Sequence, residues 1–388
     1  MTSPRLRILV VGPPGVDAAR AYGGGTGGYT RNMSVYLATL GDGALDLIPF
    51  HHSVRGQHRG LANTDPVRML RDTMAFLIVC LSKRPDAVHV MAQYRGALAR
   101  EYGQALICRA LRIPFGYDVK AGAFASSFEA GSRRYRSLLR RVIASADLLF
   151  AEGRDTQAAL RAEFGREAVY FPNFVPIEEV PEALPERLAR DAIRLLFVGY
   201  CYRDKGVFDL VEGARETARA GVALELDLIG AESPDFTAWI DALPDQDGLT
   251  VRRHGKRPHE DVLAAMRAAD VYAYPTSHPG EGHNNSINEA MMHGLVILTT
   301  RQGFLGDVLG GGCAFFLDRV APASIAAMIG KIASDRAAAR QVARAARQRL
   351  LEDFTDQAAR DRFSNAYGRL LTPGDGAGIT LAGTTGAT

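Results

Sequence analysis

Two glutamates, Glu281 and Glu289, are separated by seven residues in Glu281-Gly282-His283-Asn284-Asn285-Ser286-Ile287-Asn288-Glu289. A short apolar run ending at Pro275 comes before them, and a helix is expected from about Asn285, with Asn and Ser at hand as caps. Glu281 then sits on the loop before the helix and Glu289 about one turn inside it, so both carboxylates can line one side of a pocket. The floor is the helix N-terminus, where the amides of Asn284, Asn285 and Ser286 and the positive end of the helix dipole attract an anion. An anion held between two hydroxyl-accepting carboxylates suits a nucleotide diphosphate with hydroxyl-rich sugars at both ends. Taken singly, Glu281 is a loop charge and Glu289 a capping carboxylate.

A glycine run, Gly23-Gly24-Gly25-Thr26-Gly27-Gly28, leads into a second helical stretch from Asn32 to Thr39. Gly23, Gly25 and Gly28 satisfy GxGxxG literally, which suggests an NAD-type fingerprint. That fingerprint requires its glycines directly after the first strand, whereas residues 12–22 intervene here. A long glycine loop on a helix N-terminus still presents amides to a phosphate.

These loops need elements to position them. Short apolar runs alternate with longer amphipathic stretches, the signature of parallel sheets covered by helices on both faces. Strands are expected at 8–11, 45–50, 87–91, 115–119, 148–151 and 168–171; the pattern restarts at 194–198, 224–229, 249–252, 271–274, 296–299 and 313–316. Helices are expected at 208–220 and 260–268. Four prolines between Pro172 and Pro185 make a semi-rigid connection between the two series. The expected organisation is an α/β chain of two Rossmann-like, doubly wound domains facing a central cleft. The first spans 1–175, a linker 176–190, the second 191–352, a C-terminal helix 353–372 returns to the first, and a Gly/Thr/Ala tail covers 373–388.

Glu281, Gly282, Glu289-Ala290-Met291 and Gly294, after Ala269-Asp270-Val271 and Pro275-Thr276-Ser277, resemble the E-x7-E region of retaining glycosyltransferases of family 4, which have the GT-B fold. Leu196-Phe197-Val198-Gly199 followed by Lys205-Gly206-Val207 resembles the strand–loop–helix whose basic pair contacts the donor diphosphate. Phe171-Pro172-Asn173 also falls where that family has such a segment. The resemblance implies that Glu289 binds the ribose, that Glu281 contacts the donor sugar and that Lys205 neutralises the departing diphosphate. The family arginine after the strand-end glycine is Tyr200 here, and Arg203 is the nearby guanidinium that stands in for it. Catalysis is thereby assigned to Glu281, Lys205 and Arg203. Donor contacts are assigned to Glu289, Gly25, Gly27, Gly28, Gly199, Tyr200, His283, Asn284, Asn285 and Ser286. Many members carry a histidine after the fourth strand; here Asp118 and Lys120 share one side of that strand end. They and Thr26 are assigned to the acceptor, with a surface ion pair as the plainer reading of the first two.

Net charge is +3, too weak to imply nucleic acid. Residues 1–175 nevertheless hold 23 Lys and Arg against 14 Asp and Glu, and the remainder 23 against 29. The basic half suits an anionic partner, and Arg133, Arg134, Arg136, Arg140 and Arg141 on one expected helix offer an anionic membrane surface a place to dock, unless they are only its solvated face. Cys80, Cys108, Cys201 and Cys313 lie far apart, the nine histidines show no zinc spacing, and Asp245-Gln246-Asp247 reads as a turn, so neither metal nor cofactor is expected. The start of the chain reads as a strand rather than a signal peptide, and the apolar run 73–82 is half a membrane span, which points to the cytoplasm, with at most peripheral membrane contact. The function expected is retaining, metal-independent transfer from a UDP- or GDP-linked sugar to a saccharide acceptor, which a lipid may carry, in cell-surface polysaccharide or lipopolysaccharide assembly. A small natural-product acceptor is the alternative, and an NAD-dependent oxidoreductase the rival from another class.

Overall fold

β1 (Leu6–Gly12) is buried on both faces, and alternation sends its side chains to opposite sides. Ile8 and Val10 pack with Met33 and Tyr36 of α1 (Gly28–Thr39). Leu9 and Val11 pack with Phe76 and Cys80 of α2 (Pro66–Lys83). The rest of the first half follows this plan: β2 (Leu45–His51), β3 (Ala87–Ala92), α3 (Leu98–Leu111), β4 (Phe115–Val119), α4 (Phe124–Glu129), α5 (Arg133–Ser145), β5 (Leu148–Ala151), α6 (Arg154–Phe164) and β6 (Val169–Tyr170). The computed structural model describes residues 5–13, 28–41, 45–52, 66–92, 97–120 and 122–371. Gly25, Thr26, Gly27 and the tail 373–388 lie outside the described residues.

The second half comprises β7 (Ile193–Val198), α7 (Val207–Arg219), β8 (Leu224–Ile229), α8 (Pro234–Asp241), β9 (Leu249–Gly255), α9 (His259–Ala268), β10 (Val271–Tyr274), α10 (Asn285–Met292), β11 (Val296–Thr300), α11 (Leu305–Val308) and β12 (Phe315–Leu317). Three helices follow, α12 (Pro322–Ser334), α13 (Arg336–Asp353) and α14 (Asp356–Leu371). Among the described residues the strands form two six-stranded sheets, in the orders β2-β1-β3-β4-β5-β6 and β12-β11-β10-β7-β8-β9, and every pairing is parallel. The two doubly wound Rossmann-like sheets expected from the sequence are therefore present. β9 runs three residues past the expected end at 252 because its pairing with β8 shifts register near Leu228 and Ile229 and continues to Gly255.

The chain crosses between the halves twice, side by side. Val175 donates its amide to the Phe354 carbonyl at 3.0 Å, and Asp356 donates to the Val175 carbonyl at 2.9 Å. The Asp356 carboxylate accepts from the Ile177 amide at 2.7 Å. α14 then lays Phe363 and Tyr367 into the cluster of Ile8, Phe150 and Phe171, so the last helix fills the core of the first sheet. Gly116 of β4 makes room for it, since a Cβ there would meet the Tyr367 hydroxyl at 2.2 Å.

Candidate active site

In open parallel sheets ligands bind outside the carboxyl ends of the strands, where the strand order reverses. In the second sheet that point lies between β7 and β10, and Lys205 and Glu281 meet there. Lys205 ends a short 3-10 turn, Arg203–Lys205, after β7. The turn is fastened to the end of β10: the Asp204 carbonyl accepts from the Ser277 amide at 2.7 Å and from the Thr276 hydroxyl at 3.3 Å. Gly206 permits this approach, with a φ of 70° and a hypothetical Cβ 2.0 Å from the Pro275 carbonyl oxygen. Lys205 Nζ lies 2.6 Å from Glu281 Oε2. The same carboxylate accepts from the Thr276 hydroxyl at 2.9 Å and the Tyr274 hydroxyl at 3.2 Å. Burial and the Glu281 charge push the Tyr274 hydroxyl well above its usual range, which keeps it a donor. Glu281 is thus a buried, fully partnered carboxylate rather than a loop charge. The first half touches it directly, since a Cβ on Gly122 would fall 1.9 Å from the Glu281 carbonyl oxygen.

Glu289 is buried one turn into α10. Its Oε1 accepts from the guanidinium of Arg31, on the first turn of α1, and lies 3.1 Å from His259 Nε2 at the start of α9. Arg31 also contacts His259, and Glu179 lies 3.5 Å from its other nitrogen. Burial, reinforced by Arg31, lowers the His259 pKa to about 4, so the imidazole is neutral at pH 7. Neither Arg31 nor His259 was singled out by spacing; the one available signal was that Arg31 follows the glycine run within one turn.

Between the two carboxylates the halves are joined by a ladder of amides. Asn285 donates to Asn32 Oδ1 at 2.8 Å, and Asn32 donates to Asn173 Oδ1 at 2.8 Å. Asn173 donates to Glu152 Oε1 at 3.0 Å and to the His283 carbonyl at 2.5 Å. Glu152, at the end of β5, also accepts from the His283 amide at 3.1 Å. Burial raises its pKa to about 7, with Lys120 pulling the other way and Asp118 adding to the rise. Sequence reasoning missed this carboxyl, which no local pattern marks.

Several assigned residues stand elsewhere. Arg203 lays its guanidinium over the Phe208 ring, 4.3 Å from the centroid, with no contact to Lys205 or Glu281 among those described. The guanidinium that does reach the site is Arg31, and it sits on the other carboxylate. Tyr200 is half exposed beside Tyr202, with ring centroids 5.2 Å apart. The Gly199 amide is already bonded to the Ile229 carbonyl at 2.9 Å. His283 is buried against Phe354 and bonded through Nε2 to Asn288 at 2.8 Å, and burial lowers its pKa to about 3; its backbone amide and carbonyl join the two halves through Glu152 and Asn173. Asn284 caps α10, its side-chain oxygen accepting from the Ser286 amide at 3.0 Å, while the Ser286 hydroxyl meets Tyr272 at 2.6 Å. Gly28 opens α1.

Asp118 and Lys120 do share one side of β4, their charged atoms 3.6 Å apart, but they form no surface pair. Asp118 is completely buried beneath Tyr36 and His89, and Lys120 donates to the Phe171 carbonyl at 2.7 Å. On α5 Leu139, Val142 and Ile143 are buried, and the arginines lie outside. Arg140 differs in folding onto α6, donating to the Glu163 carbonyl at 3.0 Å over the Phe128 and Phe164 rings.

Two facing Rossmann-like sheets, with a lysine and two carboxylates over the switch point of the second, define a GT-B architecture. Residues 24–173 match the model of the glycosyl transferase 4-like domain, and residues 192–335 match that of the glycosyl transferases group 1. The chain belongs to this family of glycosyl transferases. A Mycobacterium tuberculosis glycogen synthase is 30% identical over 175 residues, which are 45% of this chain and 42% of the relative. The capsular polysaccharide biosynthesis glycosyltransferase CapM of Staphylococcus aureus is 23% identical over 194 residues, 49% of this chain and 50% of the relative. The match thus spans about half the length of these curated relatives or less. Among solved structures, Anabaena HepE in complex with UDP superposes with a TM-score of 0.66 at 14% identity, covering 94% of this chain and 100% of that one.

Proposed function

We propose that this protein transfers a glycosyl group, with retention and without a metal ion, from a UDP- or GDP-linked sugar to a saccharide acceptor, in the assembly of a cell-surface polysaccharide or lipopolysaccharide. One observation carries the reading: Lys205 and Glu281 meet over the β7/β10 switch point, and Glu289 stands one turn into the adjoining helix. Glu289 accepts the ribose hydroxyls once Arg31 gives way, Lys205 binds the diphosphate, and Glu281 shares Lys205 while accepting a hydroxyl of the transferred sugar. The bond from the anomeric carbon to the phosphate oxygen breaks with its electron pair leaving on the diphosphate. The acceptor oxygen bonds to that carbon on the same face, and its proton passes to the departing phosphate oxygen. Lys205 stabilises the charge that develops there. The polysaccharide setting draws support from CapM, and the UDP donor from HepE, which was crystallised with UDP. The arginine-rich outer side of α5 supports an acceptor carried on an anionic membrane at the cytoplasmic face.

Thermal stability with UDP, GDP and NAD added in turn tests the reading, because a ligand at about 100 times its Kd adds about 2.7 kcal/mol. UDP or GDP should stabilise, and stabilisation by NAD alone would overturn it. Donor hydrolysis across UDP-, GDP- and dTDP-sugars then identifies the donor.

A further inference from the structure

α2 packs on the first sheet through Phe76 and Cys80, and its buried Asp72 pairs with Arg100 of α3 at 3.3 Å. Its inner face is therefore fixed. Its outer face is not what a solvated helix presents. Val67, Leu70, Met74, Ile78 and Leu81, at spacings of three and four, are between 48% and 70% exposed, and Leu106 of the adjoining α3 is 45% exposed. Of the eight large apolar residues exposed in the described structure, six lie on these two helices. Scattered exposed leucines need no explanation, but a continuous stripe along about four turns does.

Among the described residues, the exposed charges on the stripe's own helix and the two beside it have one sign. α2, α3 and α5 lie side by side on one face of the sheet. Their exposed charges are Arg71 and Lys83 on α2, Arg109 on α3 and the five arginines of α5. The acidic residues of the three helices, Asp72 and Glu101, are both buried. An apolar stripe on helices whose own exposed charges are all cationic fits the surface of an anionic bilayer, with apolar side chains in the acyl boundary and arginines among the headgroups. A second copy of the chain fits poorly, because a two-fold contact across the stripe would set these cationic helices against each other. No helix among the described residues is long and apolar enough to cross a bilayer, so α2 would lie in the plane of the interface.

We infer that the outer face of α2 is the segment that inserts into an anionic lipid leaflet, with α3 and α5 holding the first sheet against the headgroups. The inference rests on the membrane reading of the proposed function and names the residues that enter the lipid.

The test is flotation of the full chain with vesicles of phosphatidylcholine alone or of phosphatidylcholine mixed with phosphatidylglycerol. The wild type should float with the anionic vesicles and much less with neutral ones. Leu70→Glu with Ile78→Glu should lower the partition coefficient at least tenfold. Arg133→Ser with Arg136→Ser should lower it about fivefold per residue, the equivalent of about 1 kcal/mol each, and added salt should erase that difference. UDP-induced thermal stabilisation of each variant is followed in parallel. Its retention shows that the fold is intact, and its absence from the wild type as well would count against the transferase reading alone. Equal flotation of the Leu70→Glu, Ile78→Glu variant and the wild type would overturn the inference. So would failure of the wild type to float combined with a dimer that this variant dissociates, since a second copy would then cover the stripe.

Discussion

Lys205 separates a structural from a chemical contribution better than any other residue of the site. Its ammonium is 2.6 Å from Glu281 Oε2, and the side chains are only 14% and 6% exposed. Lys205→Met preserves the aliphatic stem beside Tyr274 and removes the charge. Breaking a buried ion pair costs about 3–5 kcal/mol. The lower end, about 3 kcal/mol, applies here because Thr276 and Tyr274 still donate to Glu281. Adding Glu281→Gln neutralises the stranded carboxylate and should return most of that stability. Turnover should behave differently. A preorganised cation on the leaving group contributes about 10²–10³ in kcat, or about 3–4 kcal/mol, and no change at Glu281 supplies it. The assays are urea unfolding and UDP release from the donor sugar, on both variants. Recovery of turnover together with stability in the double variant would refute the reasoning, because Lys205 would then be only the partner of Glu281. A single variant within about threefold of wild-type kcat would refute it equally.

Glu289→Ala should weaken UDP binding by about 10- to 150-fold, the range for a lost hydrogen bond to a charged group, as measured by calorimetry; an unchanged Kd would remove Glu289 from the ribose. Gly206→Ala forces a side chain into a positive φ and against the Pro275 carbonyl. It should destabilise by about 2 kcal/mol or more, and an unaltered denaturation midpoint would contradict that. Glu152 binds its proton more tightly folded than unfolded, with a pKa of about 7 against 4.5. Between those values the folded state holds more protons, so this carboxyl makes stability fall as pH rises from about 4.5 to 7 and stay level above. Buried His283, lowered to about 3, acts in the opposite sense, its contribution being lost as pH falls below 6.5. The difference between wild type and Glu152→Gln isolates the carboxyl: the variant should gain up to about 3 kcal/mol at pH 8 and little at pH 4.5, and a gain that does not vary with pH would be inconsistent with the assigned titration.

What was legible in the sequence was local. The apolar strands were located to within about three residues because alternation and turn residues mark them, and α10 begins at Asn285 as its caps indicated. The positions of Glu281 before α10 and of Glu289 about one turn inside it followed from the same local geometry. What was not legible depends on the two halves meeting. Arg31 reaches Glu289 across 258 positions of sequence, and Glu152 is desolvated only because the His283 loop closes over it. No periodicity records such contacts. His283 and His259 show the difference most plainly: proximity in sequence to both glutamates favoured the first, while the fold brings the second to Glu289. The contact of Arg203 with Phe208, five residues on, whose ring surface lies 4.3 Å from its guanidinium, is another that a residue count does not reveal.

The return of α14 to the first sheet also sets an order of events during synthesis. When residues up to about 175 have left the ribosome, the side of the first sheet that carries Ile8, Phe150 and Phe171 has no Phe363 or Tyr367 to cover it. The second sheet and its helices, ending at Asp353, are complete before α14 emerges. The half that is translated first therefore finishes folding last. A nascent chain arrested shortly after Asp353 should show a protease-resistant second half and a sensitive first half, with protection of the first gained only when the final sixteen-residue helix is released.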